Sequence, residues 1–265
     1  MAKAPANGAL LPRLWLTGPH EAVGNLVNEA GYDLYGFDQA ASDELEWRNF
    51  KNNDLTLNPG EGYLYANTSD AVLEFAGELN STVNDVSLDY GASYTQAGWN
   101  LIGNPFVFAA YADRSYYVLD DDGVALNPIP ASQAVPVNPC TGIMVKASAE
   151  GEIVAFGKSA PRENNGYLSL SVSNGGRSKS ADRAVVSFQS GDALAKYVFN
   201  NNNPKLWIPQ DGTDYAIIPS EKEGEIPVNF KAVVNGKHTF SVSEKDVNME
   251  YLFLIDNLTG VEVDL

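Results

Sequence analysis

The chain is 265 residues long and 44% hydrophobic, enough for one or two domains with a packed core and too apolar for a disordered tail. Lys and Arg number 17 against 34 Asp and Glu, a formal net charge of -17, which argues against nucleic acid or anionic lipid as a partner because phosphate neutralisation needs clustered basic residues. The single cysteine, Cys140, excludes an internal disulfide, and with only His20 and His238 beside it no Cys/His metal cluster can be assembled.

In chain order, Met1 to Arg13 holds an apolar patch too short and interrupted for a signal-peptide core, and no stretch anywhere is long and apolar enough to cross a membrane. Pro19 to Ala30 and Asp43 to Trp47 each suit a helical turn. Tyr32 to Asp38 alternates bulky and polar residues with period two and reads as a half-buried strand. Asn58-Pro59-Gly60 is a turn, followed by strands at Tyr63 to Ala66 and Val72 to Phe75.

A repeat then becomes visible. Asn58-Pro59-Gly60-Glu61-Gly62-Tyr63-Leu64-Tyr65 recurs 80 residues on as Asn138-Pro139-Cys140-Thr141-Gly142-Ile143-Met144-Val145, and Leu73 to Gly77 falls on Ile153 to Gly157. Tyr32 to Phe37 falls on Tyr116 to Asp121, and Trp15 on Trp99, at a shift of 84. Recurrence of glycines, turn residues and apolar alternation together implies internal duplication. Its copies span about 14–77 and 98–157, joined at Gly98-Trp99-Asn100-Leu101-Ile102-Gly103-Asn104-Pro105-Phe106, and they make one duplicated β-domain over residues 1–160.

A polar linker, Ser159 to Gly166, leads into a second domain over 161–265. Strands are expected at Leu168 to Val172, Ala184 to Phe188, Leu206 to Ile208, Tyr215 to Ile218, Val228 to Val233, His238 to Val242 and Tyr251 to Asp256, with Asn235-Gly236 as a hairpin signal between two of them. Short strands with frequent turns indicate an antiparallel β-sandwich or jelly roll. The predicted class is therefore all-β, a duplicated antiparallel domain followed by a sandwich-like one. Val261 to Leu265 begins a strand just after the turn at Asn257 to Gly260, so the second domain is expected to lack its last strands and to expose an edge open to strand exchange with another chain.

The segment Gly98 to Phe106, with Leu57 to Asn67 before it and Leu254-Ile255-Asp256-Asn257-Leu258-Thr259-Gly260 near the end, resembles large multidomain surface and secreted proteins of Bacteroidales. The resemblance implies a β-rich module from an extracellular or outer-surface protein, of which this chain would be a fragment.

Candidate chemistry is sparse. Asp120-Asp121-Asp122-Gly123 is the densest acidic cluster and the one candidate for a metal ion, calcium, but its spacing departs from the EF-hand pattern and favours an Asp-Gly turn with solvated carboxylates, so no cofactor is expected. No Gly-x-Ser-x-Gly elbow occurs, His20 and His238 sit in turn and hairpin contexts, and Cys140 has no base beside it. Aromatic residues are the better clue: Trp47, between Glu46 and Arg48, and Tyr94, in a polar run, are the rings expected at the surface to contact a ligand, whereas Trp99 belongs to the core. The expected function is a non-catalytic cell-surface module, an adhesin or a glycan- or protein-binding unit. The alternative is a set of accessory domains of a secreted hydrolase whose catalytic domain lies outside this chain.

Overall fold

The computed structural model describes residues 32–41, 46–49, 60–67, 85–120, 123–160, 166–174, 181–221 and 224–265. These residues form an all-β protein whose only helical feature is a single 3-10 turn at Ala131–Gln133. The expectations at Trp15, Pro19 to Ala30, Val72 to Phe75 and the linker core lie outside the described residues.

The first three strands, β1 (Tyr32–Phe37), β2 (Trp47–Asn49) and β3 (Tyr63–Asn67), make a sheet of order β2-β1-β3. Trp47 therefore opens a strand and not a helical turn, because the amide of Asp38 closes the β1-β2 hairpin on the carbonyl of Glu46. Next come β4 (Asp85–Ser87), β5 (Trp99–Gly103), β6 (Tyr111–Ala112), β7 (Tyr116–Leu119), β8 (Leu126–Ile129), β9 (Gly142–Lys146) and β10 (Ile153–Gly157). They divide into a central sheet of order β5-β9-β7-β8 and a smaller sheet of order β4-β10-β6 packed over it.

The two copies are built on the same pairing plan. β1 lies between β2 and β3 as β7 lies between β8 and β9, all antiparallel. Leu34 faces Tyr65 in the first copy; in the second the register of Tyr117 on Met144 places Tyr116 level with Val145. Asp38 closes its hairpin as Asp120 does, through an amide bonded to Ala125, so β1 matches β7 at a shift of 82 residues, from 38 to 120. The shift of 84 suggested by the Tyr32 and Tyr116 pair is thus too long by two residues. A slip of two keeps every side chain on its own face, which is why apolar alternation alone does not detect it.

The remaining strands are β11 (Tyr167–Asn174), β12 (Asp182–Ser187), β13 (Leu194–Ala195), β14 (Lys205–Gln210), β15 (Thr213–Pro219), β16 (Asn229–Lys231), β17 (His238–Lys245), β18 (Phe253–Asp256) and β19 (Val261–Asp264). A curled sheet runs β16-β14-β15-β12-β11-β17, with β13 beside β15, and β12 and β15 run parallel. Asn235-Gly236 does not form the expected hairpin. The strands on either side of it sit at opposite ends of that sheet, β16 against β14 and β17 against β11, because each finds a partner elsewhere: Leu206 opposite Phe230, and eight register pairs from Tyr167–Lys245 to Asn174–His238. The curl brings the two ends together, with the Phe230 and Phe240 rings 5.0 Å apart.

The central sheet is apolar on both faces. Ile102, Tyr116, Ile143 and Val145 point into the core shared with β4, β6 and β10, joined by Val86, Val154 and Phe156. Trp99, Tyr117 and Met144 point the other way and pack against Tyr167, Val185, Leu194, Tyr197, Ala216 and Ile217 of the curled sheet. The run Ile143-Met144-Val145, buried at three successive positions, is what a strand covered on both faces requires.

Turn chemistry accounts for much of the repeat. Asn104 is 1% exposed, donates through Nδ2 to the carbonyls of Phe108 and Val137, and accepts from the amide of Phe106, saturating the loop after β5. Gly60 has φ +81, and Cys140, at the matching place in the second copy, has φ +57, with the amide of Thr141 bonded to the carbonyl of Asn138. A turn with Pro second and a left-handed residue third favours glycine there, and Cys140 pays the Cβ penalty. Cys140→Gly is expected to raise stability by up to about 1 kcal/mol, once the extra freedom of glycine in the unfolded chain is set against the relieved strain. Urea unfolding of the two proteins measures it, and a loss of stability would contradict the turn assignment.

Candidate functional site

Three layers converge on one cleft. From the first sheet come Trp47, Tyr63 and Leu64; from the central sheet Leu101, Tyr117, Val118, Leu119, Leu126 and Met144; from the segment after β13, Phe199. The cleft is shallow, with a cavity volume of about 40 Å³, and its lining is mostly apolar and aromatic. The Thr141 hydroxyl is buried and has no hydrogen-bond partner among the described residues. A buried hydroxyl left unmatched costs free energy that an incoming donor or acceptor would recover.

The rings at its rim are held edge to face. Trp47 stands 5.2 Å from Phe37 and 5.8 Å from Phe199, Phe37 stands 6.2 Å from Tyr197, and Tyr197 stands 5.0 Å from Trp99. Such geometry aligns ring edges with ring faces and adds roughly 0.5–1.5 kcal/mol per pair beyond burial. The two hairpins place corresponding pairs here. Phe37 opposite Trp47 in the first hairpin is Leu119 opposite Leu126 in the second, and both pairs line the same side of the molecule. The expectation of a surface Trp47 is therefore corrected: its ring is half-buried in the aromatic cluster and walls the cleft.

Titratable groups near this region hold the layers together. Asp192, 5% exposed, accepts from the hydroxyls of Ser115 and Ser187 and from the amides of Ala131 and Ser132, so one carboxylate ties the central sheet to the curled sheet. Burial raises its pKa above the ordinary aspartate value, and these hydrogen bonds pull it partly back. Lys196 donates to both carboxylate oxygens of Asp182 at 2.5 and 2.6 Å, and Asp182 also accepts from the amide of Leu206. Desolvation lowers the pKa of Lys196, opposed by the charge of Asp182. This pair backs a smaller cleft of about 20 Å³ bordered by Val124, Phe199, Asn203 and Lys205. The Tyr117 hydroxyl donates to the carbonyl of Ala195 and accepts the amide of Tyr197, and burial pushes its pKa well up. Carboxylates and phenols committed in this way position strands.

The other residues picked out in the sequence are scattered. Tyr94 is 43% exposed in the turn from Gly91 to Ala97, and its ring lies so close over Gly91 that a Cβ there would come within 2.2 Å of it. It does not border the cleft. The Asp120 carboxylate accepts the amides of Val124 and Ala125, which makes it the closure of the β7-β8 turn, while Asp121 and Asp122 lie outside the described residues. No group of three or more His, Cys, Asp or Glu side chains converges on a metal-sized point among the described residues. Cys140 is exposed on its turn, and His238 lies against Phe230 with Nε2 3.2 Å from the carbonyl of Val234. His20 lies outside the described residues.

Sequence reasoning missed Phe199, Thr141 and the Asp192 latch. The repeat held a signal for one wall of the cleft, since aligning the hairpins on Asp38 and Asp120 places Trp47 over Leu126. Nothing local marks Asp192, whose partner Ser115 is 77 residues away. No family model, no curated protein and no solved structure matches the chain.

The raised pKa of Asp192 has a definite sign. The folded state holds that proton more tightly than the unfolded state, so the group's contribution to stability falls as pH rises through the interval between the ordinary aspartate value and the raised one. The stability of wild type relative to Asp192→Asn should therefore decline across that interval as pH increases, which paired urea titrations at several pH values would read. A difference that grows with pH would mean that the carboxylate is favoured by the fold.

Proposed function

We propose that the chain is a non-catalytic binding module of an extracellular or surface-exposed protein, of the adhesin type that its resemblance to Bacteroidales surface proteins implies, and that it takes an apolar group of a partner protein into the cleft between Trp47 and Met144. The observation that carries the reading is the lining itself: aromatic and aliphatic side chains with one orphan hydroxyl and no acid or base. Binding sites for protein side chains are concave, mostly apolar and marked by a few polar groups. A polyhydroxylated sugar needs many hydrogen-bond partners in addition to a stacking ring, and this lining is predominantly apolar. Protein is therefore favoured over glycan as the ligand class. The acidic surface, with its net charge of -17, suits neutral or basic partners and keeps the module soluble.

An array of extracellular-matrix proteins and glycans, probed with the intact chain with and without a calcium chelator, tests this reading. Retention is expected on protein spots, independent of calcium, and Trp47→Ala should weaken it by about 2 kcal/mol, roughly thirtyfold, as for a central aromatic anchor. Circular dichroism of the variant separates lost binding from lost fold. Retention on glycans alone, or protein binding indifferent to Trp47 in a folded variant, would refute the assignment.

A further inference from the structure

The β18-β19 hairpin is the one strand pair among the described residues that joins no larger sheet. A two-stranded ribbon alone is marginal in water, and three or more strands are the usual minimum. Its apolar side chains are correspondingly open, with Tyr251, Phe253 and Ile255 standing 75%, 47% and 43% exposed on one face.

The ladder fixes which way each main-chain group points. The amide of Leu265 donates to the carbonyl of Leu252, so these two form a hydrogen-bonded pair. Such pairs alternate along an antiparallel ladder, which gives the next one to Leu254 and Val263. Phe253 and Ile255 are out of phase with these residues and turn their N–H and C=O groups away from β19. No other strand among the described residues takes those groups up.

The two edges of the ribbon differ in charge. On β19 the outward main-chain groups belong to Glu262 and Asp264, and charged side chains along an edge strand keep other strands away. On β18 they belong to Phe253 and Ile255, and no charge or proline occurs from Tyr251 to Ile255. Acids stand only at the ends of this stretch, Glu250 and Asp256, on the face that carries Leu252 and Leu254. The Thr259 hydroxyl and the Leu258 amide hold the Asp256 carboxyl below its ordinary pKa, so it is charged near neutral pH. From Asp246 to Leu265 the chain has five acids and no Lys or Arg.

Charge also selects the occupant. In a second copy, the antiparallel register that pairs apolar residues throughout has Phe253 on the two-fold axis, and it sets Glu250 of each copy opposite Asp256 of the other. Like charges directly opposite each other are destabilising. A foreign strand with basic ends meets the same two carboxylates favourably.

We propose that the free edge of β18 receives an extended segment of a partner protein as a third strand, a segment with Lys or Arg at both ends of an apolar, uncharged stretch. Main-chain hydrogen bonds to Phe253 and Ile255 hold it, and its basic ends lie against Glu250 and Asp256. This goes beyond the proposed function and uses no residue of the Trp47 cleft, so either reading can fail without the other.

Amide NMR of the intact chain tests the pairing with a synthetic peptide that has lysine at its two ends and threonine and valine alternating over the five positions between them. Shifted and exchange-protected amides are expected at Phe253 and Ile255. A peptide of the same composition with both lysines at its centre should bind roughly tenfold more weakly. Phe253→Pro removes one outward N–H and spares the bonds to β19, since proline is tolerated where an edge strand's N–H faces solvent, and it should abolish binding. Glu250→Lys alters no main-chain group and should weaken binding of the first peptide roughly fivefold. The proposal is overturned if neither amide responds to the first peptide, if the two peptides bind equally, or if binding is unchanged in both variants. Shifts at these amides that grow with protein concentration in the absence of peptide would give the edge to a second copy and overturn it as well.

Discussion

The constraint on which this molecule depends is the double coverage of the central sheet. Both of its faces pack against other layers, since Ile143 and Val145 serve one core and Met144, between them, serves the other. Full burial of one such side chain is worth roughly 1.5–3 kcal/mol, so three in succession commit β9 to the middle layer and nowhere else. Everything functional is fixed relative to that layer. The cleft opens where the first sheet and Phe199 fail to cover the end of it nearest Met144, Leu119 and Leu126.

Polar groups then lock the layers that apolar burial has stacked. Gln39, 6% exposed, accepts the amides of Gly91 and Gly98 and so ties the first hairpin to the strand that opens the second copy. Asn100 exchanges hydrogen bonds with the main chain of Asp89 and reaches the carbonyl of Gly98. Asp192 performs the same service between the central and curled sheets. Gly62 sits so near Leu101 that a Cβ would come within 2.7 Å of its side chain, and there the first sheet joins the central one through a bridge from Glu61 to Ile102. The duplicated motif is thus a means of bringing strands close, and its glycines and asparagines answer to geometry.

Much of this was legible in the sequence because it is local. Alternation at Tyr32 to Phe37 and at Leu168 to Val172 gave strands where the structure has them, and Asn257 to Gly260 turns as its residues demand, with the amide of Gly260 on the carbonyl of Asp256. What failed was non-local. Asn235-Gly236 has the composition of a tight hairpin, but pairing is decided by partners 24 and 72 residues away, Leu206 for Phe230 and Leu170 for Val242. The slip from 84 to 82 in the repeat shift arose because tyrosines recur at Tyr32, Tyr35, Tyr116 and Tyr117, and only the hydrogen bonds of Asp38 and Asp120 fix the frame. Trp47 looked exposed because its neighbours are charged; in a strand, neighbours point to the other face, and flanking charge says nothing about the residue between them.

If the central sheet is the shared wall of two cores, the sheets on either side of it cannot lose structure independently. Hydrogen exchange followed by mass spectrometry across a urea series reads this directly. Peptides covering β9 and β10 and peptides covering β12 to β15 should lose protection together, at one midpoint. Protection that persists in β12 to β15 after β9 has opened would show two separate cores and contradict the account.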